Sequence, residues 1–101
     1  MPTYVSLIKF TAQGVKSIKD MPELMKTTVE HVEALGGKLI ATYVVMGDYD
    51  MVGIAEFPSD EAAMTQLLAI GTAGYVRTTT LKAFPWEEFG EILKKLPEGD
   101  E

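Results

Sequence analysis

The apolar residues of this chain switch period between two and about 3.6, and the order of the switches admits few folds. Thr3 to Phe10 (TYVSLIKF) is rich in β-branched and aromatic residues and predicts a strand, broken by Thr11-Ala12-Gln13-Gly14. Leu24, Met25, Thr28, Val32 and Leu35 then recur at helical spacing, predicting a helix over 21–35. Asp20 stands at its cap, Glu23 three residues on as in a capping box, and Pro22 in the first turn. Gly36-Gly37 ends it. Lys38 to Met46 and Met51 to Phe57 read as two strands of a hairpin around Gly47-Asp48-Tyr49-Asp50. A second helix opens at Pro58-Ser59-Asp60-Glu61, with Ser59 or Asp60 as cap. Its inner stripe is Ala63, Leu67 and Ile70, and Gly71-Thr72-Ala73-Gly74 closes it. Tyr75 to Phe84 is the fourth strand. After Pro85, Trp86, Phe89, Leu93 and Leu96 predict a short amphipathic helix. Residues 1–96 therefore read as one domain and 97–101 as an acidic tail.

The order β-α-β-β-α-β with right-handed crossovers gives a ferredoxin-like α+β sandwich, in which two helices cover one face of a four-stranded antiparallel sheet. The other face carries the functional question. The first strand alternates Thr3, Val5, Leu7, Lys9 against Tyr4, Ser6, Ile8, Phe10, and the third alternates Met51, Gly53, Ala55, Phe57 against Val52, Ile54, Glu56. Neither set is polar enough for water, and the pattern does not say which set meets the helices. A second apolar face on so small a domain predicts a partner, most simply another copy of the chain. Covering about 600–800 Å² per subunit is the scale of a specific interface.

Composition excludes more than it assigns. There is no cysteine among 101 residues, which removes disulfides, thiolate metal sites and cysteine nucleophiles. One histidine cannot build a multi-histidine metal centre, so the expectation is no metal and no cofactor. Fifteen acids against nine bases give a net charge of −6, which argues against nucleic acid as a partner. No apolar stretch is long enough for a membrane span and no signal peptide is visible, so the expected location is cytoplasmic. There is no nucleophile elbow, Walker motif or dinucleotide fingerprint.

The Gly47-Asp48-Tyr49-Asp50 turn, the run Val76-Arg77-Thr78-Thr79-Thr80-Leu81-Lys82-Ala83-Phe84, the opening Pro2-Thr3-Tyr4-Val5 and the step Gly36-Gly37-Lys38-Leu39 resemble the GYD-domain family over about residues 2–96. The family's Gly, Tyr and Asp fall on Gly47, Tyr49 and Asp50. The resemblance implies a ferredoxin-like fold related to the dimeric α/β barrels, and implies no particular activity. Gly74-Tyr75 departs from the Gly-Asn often found before the Val-Arg-Thr run, so no role of that Asn carries over.

Several residues invite a functional reading beside a structural one. Asp48 and Asp50 have the spacing of oxygen-ligated metals, yet an EF-hand would need Glu where Ser59 stands; turn chemistry explains both. Arg77 sits within a strand and needs a carboxylate or an anion, with Asp50 and Glu56 as internal candidates. His31 lies at the edge of a helical stripe, as a partly exposed histidine, a general base or a lone metal ligand. Tyr4, Tyr43, Tyr49, Asp50, Arg77 and His31 are the candidate ligand-binding residues.

Three functions remain open. One is a homo-oligomeric small-molecule-binding or regulatory module with its site between sheet faces or subunits. Another is a cofactor-independent enzyme like the small monooxygenases and isomerases of the dimeric α/β-barrel class. The third is an assembly protein with no ligand site. A pocket with convergent polar groups favours the first two, and a base within its reach favours the enzyme.

Overall fold

The computed structural model describes residues 1–98. Its elements are β1 (Thr3–Phe10), α1 (Ala12–Lys16), a 3-10 turn (Ile18–Asp20), α2 (Met21–Ala34), β2 (Lys38–Val44), β3 (Met51–Glu56), α3 (Asp60–Ala73), β4 (Val76–Ala83) and α4 (Trp86–Leu93). The strands form one antiparallel sheet in the order β2-β3-β1-β4, the ferredoxin-like arrangement. Gly99–Glu101, the acidic end of the expected tail, lie outside the described residues.

Two local expectations need correction. The break after β1 is a short helix: Thr11 caps α1 by accepting from the Gly14 amide at 3.1 Å and donates to the Gly74 carbonyl at 2.6 Å. Gly14 is required there, since a Cβ would stand 2.1 Å from the Tyr75 carbonyl oxygen. Asp20 makes no side-chain cap to α2, because the 3-10 turn already leads the backbone into the helix in helical conformation. Ser59 caps α3, accepting from the Ala62 amide at 3.1 Å, and Gly74 ends it with φ +87°.

The sheet resolves which face is which. Tyr4, Ser6 and Ile8 of β1, with Met51, Gly53 and Ala55 of β3, point toward α2 and α3. The core between the layers centres on Tyr4, Val32, Phe57 and Ala63, with Tyr4 and Phe57 edge-on at 5.8 Å. The opposite face carries Val5, Leu7, Val52 and Ile54 on the central strands, with Tyr43 and Leu81 more than half exposed beside them. A register shift between Leu39 and Ala41 puts a bulge in β2 at Ile40.

α4 extends away from this sandwich. Trp86 and Phe89 pack on each other at 5.5 Å, while Trp86, Leu93 and Leu96 remain 79%, 47% and 62% exposed. The radius of gyration is 16.2 Å, against about 13 Å for a compact chain of this length.

Candidate functional site

Helix and sheet layers separate enough around Gly53 to leave a cavity of about 80 Å³. Gly53 is mid-strand, where glycine has no conformational reason to be; a Cβ there would meet only the Ile8 side chain, at 3.9 Å. Its missing side chain is the floor of the cavity. Met51, Ala55, Val32 and Leu67 make much of the wall apolar.

Polar side chains interrupt that wall. Ser6 and Thr80, facing each other across β1 and β4, share a hydrogen bond of 2.8 Å. One hydroxyl proton serves that bond, so the second is free to donate. Thr42 of β2 lines the cavity from the other side. Gln66 of α3 is 5% exposed, and its Oε1 meets His31 Nδ1 of α2. An amide oxygen only accepts, so His31 donates and its Nδ1 carries the proton. Gln66 lines the cavity, and no buried side-chain nitrogen or oxygen among the described residues lacks a hydrogen-bond partner. Gln66 was not singled out in the sequence. The signal was there: it falls at the i+3 position of the stripe that Ala63, Leu67 and Ile70 define, a polar residue where apolar ones repeat.

Next to the cavity, the Tyr4 hydroxyl donates to Asp60 Oδ1, and Lys82 Nζ lies 3.1 Å from the same oxygen. The hydrogen bond to Asp60, with smaller effects from burial and nearby charge, pushes the Tyr4 phenol up to about 12. The Tyr4 and Lys82 hydrogen bonds in turn hold the Asp60 carboxyl below its usual range.

The six candidate residues do not converge. Tyr4 lines the cavity and His31 stands behind Gln66 at its edge. Tyr43 is exposed on the opposite sheet face. Tyr49 sits under the Lys9 ammonium, 5.3 Å from ring centre to Nζ. Asp50 Oδ2 accepts from the Phe10 amide at 2.9 Å and ties the hairpin to β1. Arg77 is exposed beside Lys9 on the outer face and pairs with neither Asp50 nor Glu56. Among the described residues no three carboxylates or histidines cluster as metal ligands, and no helix is long and apolar enough to cross a membrane.

A family model for the GYD domain matches residues 4–93. The chain belongs to the GYD domain family. This GYD protein is 31% identical over 95 residues to a Thermus thermophilus protein named glutamine synthetase and cystathionine beta-lyase binding protein, covering 93% of this chain and all of that one. Among solved structures it resembles the leucine response regulatory protein of Mycobacterium tuberculosis (TM-score 0.54, 18% identity, 83% of this chain). The GYD chain spans 51% of that regulator's length. It also resembles FFRP-DM1 (TM-score 0.56, 22% identity), covering 83% of this chain and all of that one. These two likenesses concern the fold.

Proposed function

We propose that this GYD protein is a self-associating module that binds a small uncharged molecule between its helix and sheet layers and acts through contact with other proteins. The observation that carries the reading is Gln66, a polar side chain only 5% exposed, held at its oxygen by His31 and set in the wall of an otherwise largely apolar cavity. An amide in an apolar wall favours a ligand that can hydrogen-bond to it. The Ser6–Thr80 pair and Thr42 add hydroxyls on the same wall. The lining holds no carboxylate, lysine or arginine, which favours a neutral ligand carrying a carbonyl or ether oxygen. At about 80 Å³ the cavity has roughly half the 150 Å³ or so that accommodates benzene, so only the head of such a molecule enters it.

Catalysis is not part of the proposal. The one ionisable group on the wall is Tyr4, whose phenol keeps its proton up to about 12 and is engaged with Asp60, so it is no base at neutral pH. Contact with other proteins is proposed by likeness to the Thermus relative, whose name records two enzymes that it binds.

The test is ligand-observed NMR with cyclohexanone, cyclohexane and cyclohexanecarboxylate. Cyclohexanone should show saturation transfer and the carboxylate none. Gly53→Val, which fills the floor, should abolish the effect, and Gln66→Leu should remove the preference for the ketone over the hydrocarbon. Equal transfer to wild type and Gly53→Val would place binding elsewhere.

A further inference from the structure

Hydroxyls leave the sense of a cavity's hydrogen bonds open, because they rotate between donating and accepting. Ser6, Thr42 and Thr80 bring such groups to the wall, and Thr28 brings one whose proton goes to the Leu24 carbonyl at 2.9 Å. An amide is different. Its oxygen only accepts and its nitrogen only donates. The two stand on one planar carbon, so turning either toward a neighbour turns the other away. Gln66 is the only side-chain amide on this wall.

The neighbour is His31. It sits in the last turn of α2 and meets Gln66 of α3, 35 positions on, with Nδ1 against Oε1. A neutral imidazole carries one proton. With that proton on Nδ1, the ring donates to Oε1 and the amide nitrogen turns away. With it on Nε2, Nδ1 is an acceptor, and the amide must turn over to meet it with an N–H. The imidazolium has a proton on each nitrogen and holds the amide as the first form does. Two of the three forms of the ring therefore hold Gln66 in one sense, with its oxygen on His31, and that is the sense of the contact. His31 is half-buried and Gln66 buried, so water competes weakly for it.

We infer that His31 is a positioning residue that sets the ligand preference of the cavity: by holding the Gln66 oxygen it presents the amide nitrogen, and so selects small neutral molecules that accept a hydrogen bond over those that only donate one. The inference rests on the ligand reading proposed above and adds the side chain that gives the site its sense. It also gives the chain's only histidine a role as neither base nor metal ligand. The proton on one ring nitrogen is fixed by the bond it makes, and the ligand preference follows from that proton.

Two five-membered rings of similar size test it: cyclopentanone only accepts and pyrrole only donates. Their dissociation constants are measured by NMR titration of the full chain for wild type, His31→Asp and His31→Lys. Wild type should bind cyclopentanone about tenfold more tightly than pyrrole. An aspartate places an acceptor oxygen where Nδ1 stands, so the amide should turn over and His31→Asp should prefer pyrrole by a similar factor. A lysine ammonium only donates, so His31→Lys should keep the wild-type preference. A merely structural role would weaken both rings together and leave their ratio unchanged. An unchanged ratio in a folded His31→Asp would overturn the inference, as would a reversed ratio in His31→Lys. If His31→Asp does not fold, nitrogen NMR of the wild-type imidazole decides: Nδ1 should carry a proton, and a ring protonated on Nε2 alone would overturn the inference. Wild type binding both rings equally would overturn the inference and leave the ligand reading standing. Binding of neither ring would overturn the ligand reading itself.

Discussion

The Tyr4 hydroxyl donates to the carboxylate of Asp60, 56 positions later, and so joins the first strand to the first turn of α3. Lys82 completes the group from β4. The arrangement requires Tyr4 protonated and Asp60 ionised. Asp60 has a lowered pKa, so its contribution is present above the ordinary carboxylate range and is lost as pH falls through the lowered value. Tyr4 has a raised pKa, so its contribution is full below 10.0 and is lost as pH rises toward about 12. Urea midpoints of wild type minus Asp60→Asn should therefore be flat across neutral pH and fall at both extremes. In ultraviolet titration, Asp60→Asn should bring one phenol down from about 12 toward its ordinary value, and Tyr4→Phe should remove that phenol.

Asp50 fastens the hairpin to β1 twice. Its carboxylate accepts from the Phe10 amide at 2.9 Å, and its own amide donates to the Ile8 carbonyl at 2.9 Å. Asp50→Ala leaves the Phe10 amide without its partner and should cost about 1–3 kcal/mol in denaturant unfolding. An unchanged midpoint would show that water replaces the carboxylate.

Gly14 and Gly53 should respond to alanine in opposite directions. At Gly14 the new methyl meets the Tyr75 carbonyl at 2.1 Å, a backbone atom, so Gly14→Ala should cost about 3 kcal/mol. At Gly53 the nearest atom is 3.9 Å away and φ is ordinary, so Gly53→Ala should stabilise by about 0.4–1 kcal/mol. Thermal melts of the two variants check both signs.

Truncation after Pro85 should leave the fold standing. α4 holds its aromatic pair within itself and makes little contact with the sandwich. The shortened chain should retain the circular dichroism of the sheet and unfold within about 0.5 kcal/mol of wild type at equal oligomeric state.

The element order was legible because each strand and helix keeps its own hydrophobic period. The turn at 47–50 and the cap at Ser59 were legible for the same local reason. What faces the helices was not. Both sets of β1 mix apolar and polar residues, and Tyr4 and Ser6 point inward, where Tyr4 finds Asp60 and Ser6 finds Thr80. Those partners lie 56 and 74 residues away, beyond any local pattern. α1 was hidden for a related reason: Gly14 reads as a breaker, and only the Tyr75 carbonyl across the fold explains why glycine stands inside a helix. Of the candidate site, Tyr4 and His31 were in view, whereas Gln66 and Gly53 acquire meaning only once two layers enclose them.

The outstretched α4 also governs how a single copy moves through solvent. A body 58 Å long and 19 Å thick meets more friction than a sphere of its mass. A lone chain should therefore diffuse slowly and leave a gel-filtration column early, in the direction of a heavier particle. Any dimer that folds both helices against its own surface would be rounder for its mass, so association should raise the sedimentation coefficient more than the elution shift alone suggests.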